Sequence, residues 1–279
     1  MPAGEPSNLV LRLTTAAVGV PVIIGLLYWA PPWAFYLLVL LVSLLGVREL
    51  IAMTHPNDRL PQAIGAAISA GASLTVYLRP DDPRAILAVL VVVPLCGPIV
   101  TLLRLGNLET AALRACAMGF GPLFVVVPLT LLAAMRRTFG YVGSGAVLLA
   151  LGLAWFADTG AYFAGRFLGR HKLYEAVSPN KTVEGAVGGL AASVFWAALA
   201  SQSYLKGSLP LAHAVPLSIA GGLLGQAGDL GESLLKRSTG VKDSGAIVPG
   251  HGGILDRVDA LIATSVVVFL YAQWAWAPW

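Results

Sequence analysis

Charge is what this chain has least of: Asp, Glu, Lys and Arg together make up 11% of its 279 residues. A soluble domain carries about 25%, so a water-facing surface of ordinary extent cannot be assembled from this sequence. Cysteine is nearly absent, with only Cys96 and Cys116. Both fall in or beside apolar segments and lack metal-ligand spacing, which argues against a disulfide framework and for two buried small residues. Internal repeats, low-complexity linkers and alternating strand patterns are missing too. What the chain has in quantity is apolar surface, 57% of residues with a mean hydropathy of +0.78. That balance places it among integral membrane proteins.

An apolar run needs about 20 residues to cross the hydrocarbon core. About nine such runs are present: Thr14–Ala30, Trp33–Val47, Ala63–Leu78, Ala85–Leu103, Ala115–Met135, Tyr141–Phe167, Val183–Tyr204, Leu211–Leu230 and Ala260–Trp276. Inside lipid each backbone polar group must be paired within its own segment or bundle. The expected fold class is therefore all-α, a polytopic helical membrane bundle with about nine transmembrane helices. Arg12 before the first run resembles the start of a signal sequence, but Pro31-Pro32 behind it is a poor cleavage context, so a retained anchor is expected.

Basic residues set the orientation. With nine spans, thirteen of the 18 Lys and Arg share a side with the N-terminus, among them Arg48, Arg59, Arg104, Arg114, Lys181, Lys236 and Arg257. Arg79, Arg84, Arg136, Arg137 and Lys206 fall on the other. The richer side is expected to be cytoplasmic.

The halves of the chain differ in kind. Before residue 151 the acidic residues, Glu49 included, are scattered mostly through connecting loops. After it, Asp158, Glu184, Asp229, Glu232, Asp243, Asp256 and Asp259 gather in or beside the cytoplasmic ends of the last four runs. The expected organisation is one continuous membrane domain, with 1–150 supporting lipid or dimer contacts and 151–279 carrying the chemistry. The densest stretch runs from Ser233 to Asp259, where an unpaired charge in lipid would cost about 2.5–3.5 kcal/mol on lenient scales.

Asp256 and Asp259, three apart at the start of the last helix, share a face and make an oxygen-rich pair suited to Mg²⁺. One Asp there is explained by the helix dipole; two on one face beside Arg257 argue for a site. Asp229 and Glu232 repeat the spacing at the end of the eighth run, where the dipole disfavours acids. Glu232 has Lys236 four residues on as a salt-bridge partner, whereas Asp229 has none nearby in sequence. Asp158, inside an apolar run, is either paired with a base on a neighbouring helix or functional; the glycines that follow it, Gly160, Gly165 and Gly169, read as close helix packing. Ser178-Pro179-Asn180-Lys181-Thr182 can form an anion site at a helix start, although in isolation Thr182 as a cap and Lys181 as a topology signal explain it better. Pro249-Gly250-His251-Gly252-Gly253 is a loop by its turn chemistry, with glycines that let backbone N–H groups approach phosphate.

Taken in order, Ser233-x-x-Lys236-Arg237, Lys242-Asp243, Pro249-x-His251-Gly252-Gly253 and Asp256-Arg257-x-Asp259 resemble the signature of phosphatidate cytidylyltransferases, also called CDP-diacylglycerol synthases. Asp158-Thr159-Gly160-Ala161-Tyr162 and the Ser178–Gly185 segment resemble it as well, with Asn180 where that family usually has Lys. The motifs cover roughly residues 150 to 265. The resemblance implies transfer of a cytidylyl group from CTP to phosphatidic acid, giving CDP-diacylglycerol and pyrophosphate. It further implies Mg²⁺ held by Asp229, Asp256 and Asp259, with K⁺ as a second cation. Lys181, Lys236, Arg237, Lys242 and Arg257 would take phosphates, and Ser178, Thr182, His251, Gly252 and Gly253 would orient. Expected partners are CTP, phosphatidic acid, the bilayer and a second copy of the chain, with no nucleic acid. The expected location is a bacterial inner membrane, N-terminus and site facing the cytoplasm. Competing readings are a CTP-dependent polyprenol kinase, a CDP-alcohol phosphotransferase, whose D-G-x-x-A-R run is absent, and a cation-coupled transporter, whose midplane relay and inverted repeats are not evident.

Overall fold

A computed structural model describes residues 8–56, 58–245, 247 and 252–276, with side chains from residue 17. The first four rods are α1 (Asn8–Tyr28), α2 (Pro32–Thr54), α3 (Arg59–Leu78) and α4 (Pro83–Leu103). A fifth is interrupted: α5 (Ala111–Gly121) passes through a π-helical turn at Pro122–Val126 into α6 (Val127–Thr138). Pro122 and Pro128 lack the N–H groups that a continuous α ladder needs there, so the rod shifts register without stopping. Next come α7 (Gly140–Leu168), a hairpin of β1 (Lys172–Tyr174) and β2 (Ser178–Thr182), α8 (Val183–Gln202), α9 (Leu211–Ser238) and α10 (Leu255–Trp276). The protein is an all-α polytopic membrane protein. Six helical stretches among the described residues are long and apolar enough to cross a bilayer.

Side-chain exposure is inverted relative to a soluble protein. Leu90, Val91, Leu95, Leu102 and Leu103 of α4 point outward, while Ser69, Ser73, Thr130 and Ser193 are buried between helices. Outward apolar residues suit lipid, and small hydroxyls allow helices to approach and bond across the gap. Ser73 and Thr130, for example, sit 2.8 Å apart between α3 and α6. The same inversion corrects the expectation for cysteine. Neither is in a disulfide, but Cys116 is exposed and Cys96 only half-buried, because an apolar side chain needs no interior where the surroundings are themselves apolar.

Loop contacts separate two ends of the bundle. At one end Arg104, behind α4, pairs with Asp58, ahead of α3, at 3.0 Å, which holds the Asp58 carboxyl below its usual range. Arg114 gathers the carbonyls of Arg104, Leu105 and Asn107 there. At the other end Arg137 binds the carbonyl of Tyr77, Gln273 reaches Asp81 at 2.8 Å, and Trp276 donates to Ser208.

Candidate functional site

The site is built where α7, α8, α9 and α10 meet at the end carrying Asp58 and Arg104. α7 and α8 approach almost backbone to backbone: a Cβ added at Gly160 would meet the Gly188 carbonyl at 2.7 Å, and one at Gly189 the Ala157 carbonyl at 2.7 Å. These glycines bracket Asp158 and bring it within reach of α8, as the packing reading of the glycines expects. The hairpin then folds over the end of α8. Glu184, in the first turn of α8, accepts from the backbone N–H groups of Arg170 and His171 and from the His171 ring, pinning the strand entry. Thr182 caps α8 through Gly185 N at 3.1 Å, so its capping role is real, while the side chain also faces the cavity.

That cavity has a volume of about 900 Å³, within the range of sites for nucleotide-sized ligands. Asp158, Asp229, Asp243, Asp256 and Asp259 line it together with Arg166, Lys181, Lys236 and Arg257. Asp229 has a partner that local spacing did not reveal: Lys181, from β2, at 2.6 Å. Lys236 lies between two acids, 2.6 Å from Glu232 and 2.6 Å from Asp256. Glu232 is fully buried, so its pairing with Lys236 neutralises a charge that could not stand alone.

Asp256 is the most heavily engaged carboxylate. Its Oδ1 takes the Lys236 ammonium; its Oδ2 accepts from Gly253 N at 2.9 Å and Ser244 N at 3.1 Å, with Ser244 Oγ 3.0 Å away. Among the described residues Asp259 accepts only from the N–H of the next residue, Ala260, at 2.7 Å. Asp158 has no hydrogen-bond or ion-pair partner among the described residues. Asp158, Asp229 and Asp259 lie close enough to repel one another, with Lys181 the one ammonium bonded to any of them. Hard carboxylate oxygens with surplus negative charge are donors of the chemical type that a divalent cation takes. As they stand, no three His, Cys, Asp or Glu side chains among the described residues converge tightly enough to ligate one ion.

A residue of the first half completes the arrangement. Glu49 of α2 is buried, and it accepts from Ile254 N at 3.1 Å and Leu255 N at 2.9 Å at the start of α10. Ser244 Oγ lies 2.9 Å from the same carboxylate, so its single proton is shared between Glu49 and Asp256. The segment fits this closely only without side chains: a Cβ at Gly253 would overlap both Ser244 and Glu49. By sequence Glu49 belongs to the scattered acidic set, two residues past the Trp33–Val47 run; α2 continues to Thr54, and that extension is what carries it into the interior. Gln226 and Arg166 also line the cavity and were not singled out by motif.

Of the remaining candidates, Ser178 lines the cavity. Arg237 instead clamps the hairpin, donating to the carbonyls of Val177 and Val241 at 3.3 Å each. Lys242 is exposed and does not line the cavity. Gly252 takes a positive φ of 82° beside Asp256, a conformation open to glycine. His251 lies outside the described residues.

Similar proteins bear on this arrangement. A phosphatidate cytidylyltransferase of Staphylococcus saprophyticus is 48% identical over 116 residues, covering 42% of this chain and 44% of that protein. Proteins of the same description from Staphylococcus epidermidis and Staphylococcus aureus are 46% identical over the same length and shares. The alignment thus spans less than half the length of these relatives. The sequence profile of the cytidylyltransferase family matches residues 10–275, nearly the whole chain, and the chain belongs to that family.

Proposed function

We propose that this protein transfers the cytidylyl group of CTP to phosphatidic acid, releasing pyrophosphate and forming CDP-diacylglycerol. The observation that carries the reading is a single cavity of about 900 Å³, at one end of a membrane bundle, lined by five aspartates and four cationic side chains. A phosphate oxygen of phosphatidic acid attacks the α-phosphorus of CTP; the new P–O bond forms as the bond to pyrophosphate breaks. With a second pKa near 6 the phosphate monoester is largely deprotonated at neutral pH, so no dedicated base is needed. The obstacle is mutual repulsion of two polyanions and the charge of the leaving group.

In this reading Asp229, Asp256 and Asp259 hold Mg²⁺, with Asp158 as a further carboxylate and K⁺ as a companion cation. The metal would offset phosphate charge and stabilise the departing pyrophosphate. Asp256 Oδ1 carries one hydrogen bond, from Lys236, and so keeps a lone pair for the metal; a Lys236 ammonium displaced by that metal would be available to phosphate. Lys181 and Arg257 face the same space, and Ser178 and Thr182 supply hydroxyl donors at the hairpin. Residues 151–279 carry the chemistry, residues 1–150 hold its frame through Glu49, and the cavity opens to the cytoplasm, where CTP is found.

Purified protein given Mg²⁺, labelled CTP and phosphatidic acid should yield a CDP-lipid and one pyrophosphate per turnover, and a chelator should stop both. Product from a prenol or an alcohol instead, or ion flux without pyrophosphate, would replace this reading.

A further inference from the structure

A second cavity, apolar and about 150 Å³ in volume, adjoins the polar one and has no part in nucleotide chemistry. Its walls include Phe35 and Val39 of α2, Leu129 of α6, Leu151 of α7 and Leu261 of α10. These five are buried, whereas Trp155, which also lines the cavity, is 38% exposed, so the space reaches from the bundle interior to its outer surface, where a chain can enter from lipid. Arg257 lines both cavities, and its guanidinium has no ion-pair partner among the described residues. Chain direction shows how the slot runs. Arg257 is in the first turn of α10 and Leu261 one turn further in. Phe35 and Val39 are in the first half of α2, whose other end meets the start of α10 at Glu49. The slot therefore descends from the cation at the rim of the polar cavity toward the middle of the bundle.

We infer that this slot receives one acyl chain of the lipid substrate while its phosphate is held at Arg257. The inference rests on the proposed use of phosphatidic acid. A cavity of about this size walled by Leu and Phe stays dry and accepts an apolar guest the size of benzene, which corresponds to about six carbons of chain. The first carbons below the glycerol thus leave the bilayer, and the polar end is fixed in depth and direction at the site where CTP must meet it.

Phosphatidic acids with four-carbon and sixteen-carbon chains test this in detergent. The unmodified protein should show a lower KM for the long chains. Val39→Phe, which fills the slot away from the polar cavity, should shrink that advantage roughly tenfold, the effect of excluding about two methylenes. An equal change in KM at both lengths would overturn the slot. If the unmodified protein makes no CDP-lipid at either length, the proposed reaction fails instead. Photolabelling of the unmodified protein gives a readout independent of turnover and of folding in variants. Phosphatidic acid carrying a diazirine near its sixth carbon should label α2 or α6 peptides around Val39 and Leu129, and Arg257→Ala should weaken that labelling. Equal labelling by a phosphatidylcholine probe, or labelling only of outward residues such as Leu90 and Leu95, would identify bilayer lipid and overturn the inference.

Discussion

Asp256 and Asp259 stand three residues apart on one helix face, yet their surroundings assign them different burdens. Asp256 holds Lys236, Ser244 and Gly253 in place, and its side chain is 7% exposed. Asp259 has one short backbone contact and otherwise faces the cavity with Asp158 and Asp229. Asp259→Asn should therefore reduce turnover by about 10²–10³-fold while leaving the thermal midpoint close to that of the unmodified protein. Asp256→Asn should abolish turnover and also destabilise the fold, because removing one partner of a largely buried pair costs about 3–5 kcal/mol. Parallel measurements of CDP-lipid formation and thermal unfolding in detergent check both. Equal destabilisation by the two variants would show that Asp259 is structural as well. Lys181→Met leaves Asp229 without its 2.6 Å ammonium, and it should raise the KM for CTP about tenfold or more, as expected when a charge-assisted contact is lost.

At the scale of elements, the decisive contact joins α2 to the start of α10. Glu49 supplies both oxygens to backbone N–H groups that a helix start leaves unpaired, and the negative charge also suits the positive end of the α10 dipole. Glu49→Gln exchanges one acceptor for a donor opposite a buried N–H, at a cost of about 1–3 kcal/mol. The expected outcome is a lower unfolding midpoint with a fall in turnover, since Asp256 and Asp259 ride on the helix that is displaced. Unchanged stability would remove Glu49 as the anchor. This contact also shows where sequence reading stops. The apolar runs marked the rods well, because lipid imposes both a length and a helical answer on each: α7 and α8 begin within a residue of the expected starts. The acidic set near α9 and α10 was legible because three-residue spacing fixes a shared face. Ser244 meeting Glu49 across 195 residues leaves no trace in local spacing, nor does the Lys181–Asp229 pair. The β hairpin escaped notice because its five-residue strand is polar and borrows its order from Glu184 and Arg237.

For the whole molecule, the two ends of the bundle differ in a way that topology must respect. The polar cavity, the Asp58–Arg104 pair and the Glu49 anchor share one end, while Arg137, Asp81 and Ser208 share the other. The proposed reaction requires access from the compartment that holds CTP, and the positive-inside rule predicts that the same end faces it. The two expectations agree, the first drawn from the proposed chemistry and the second from insertion. After Cys96 and Cys116 are replaced by Ala, single cysteines at two exposed positions, one at the start of α3 and one in the turn after α8, can distinguish the alternatives. Arg59→Cys should react with a membrane-impermeant maleimide only when the cytoplasmic face is opened. Lys206→Cys should react in intact cells. The reverse pattern would put the cavity on the face without CTP and remove the proposed reaction, however well the aspartates are placed. Reaction of both positions from one side would break the alternation of rods on which the nine-span reading depends.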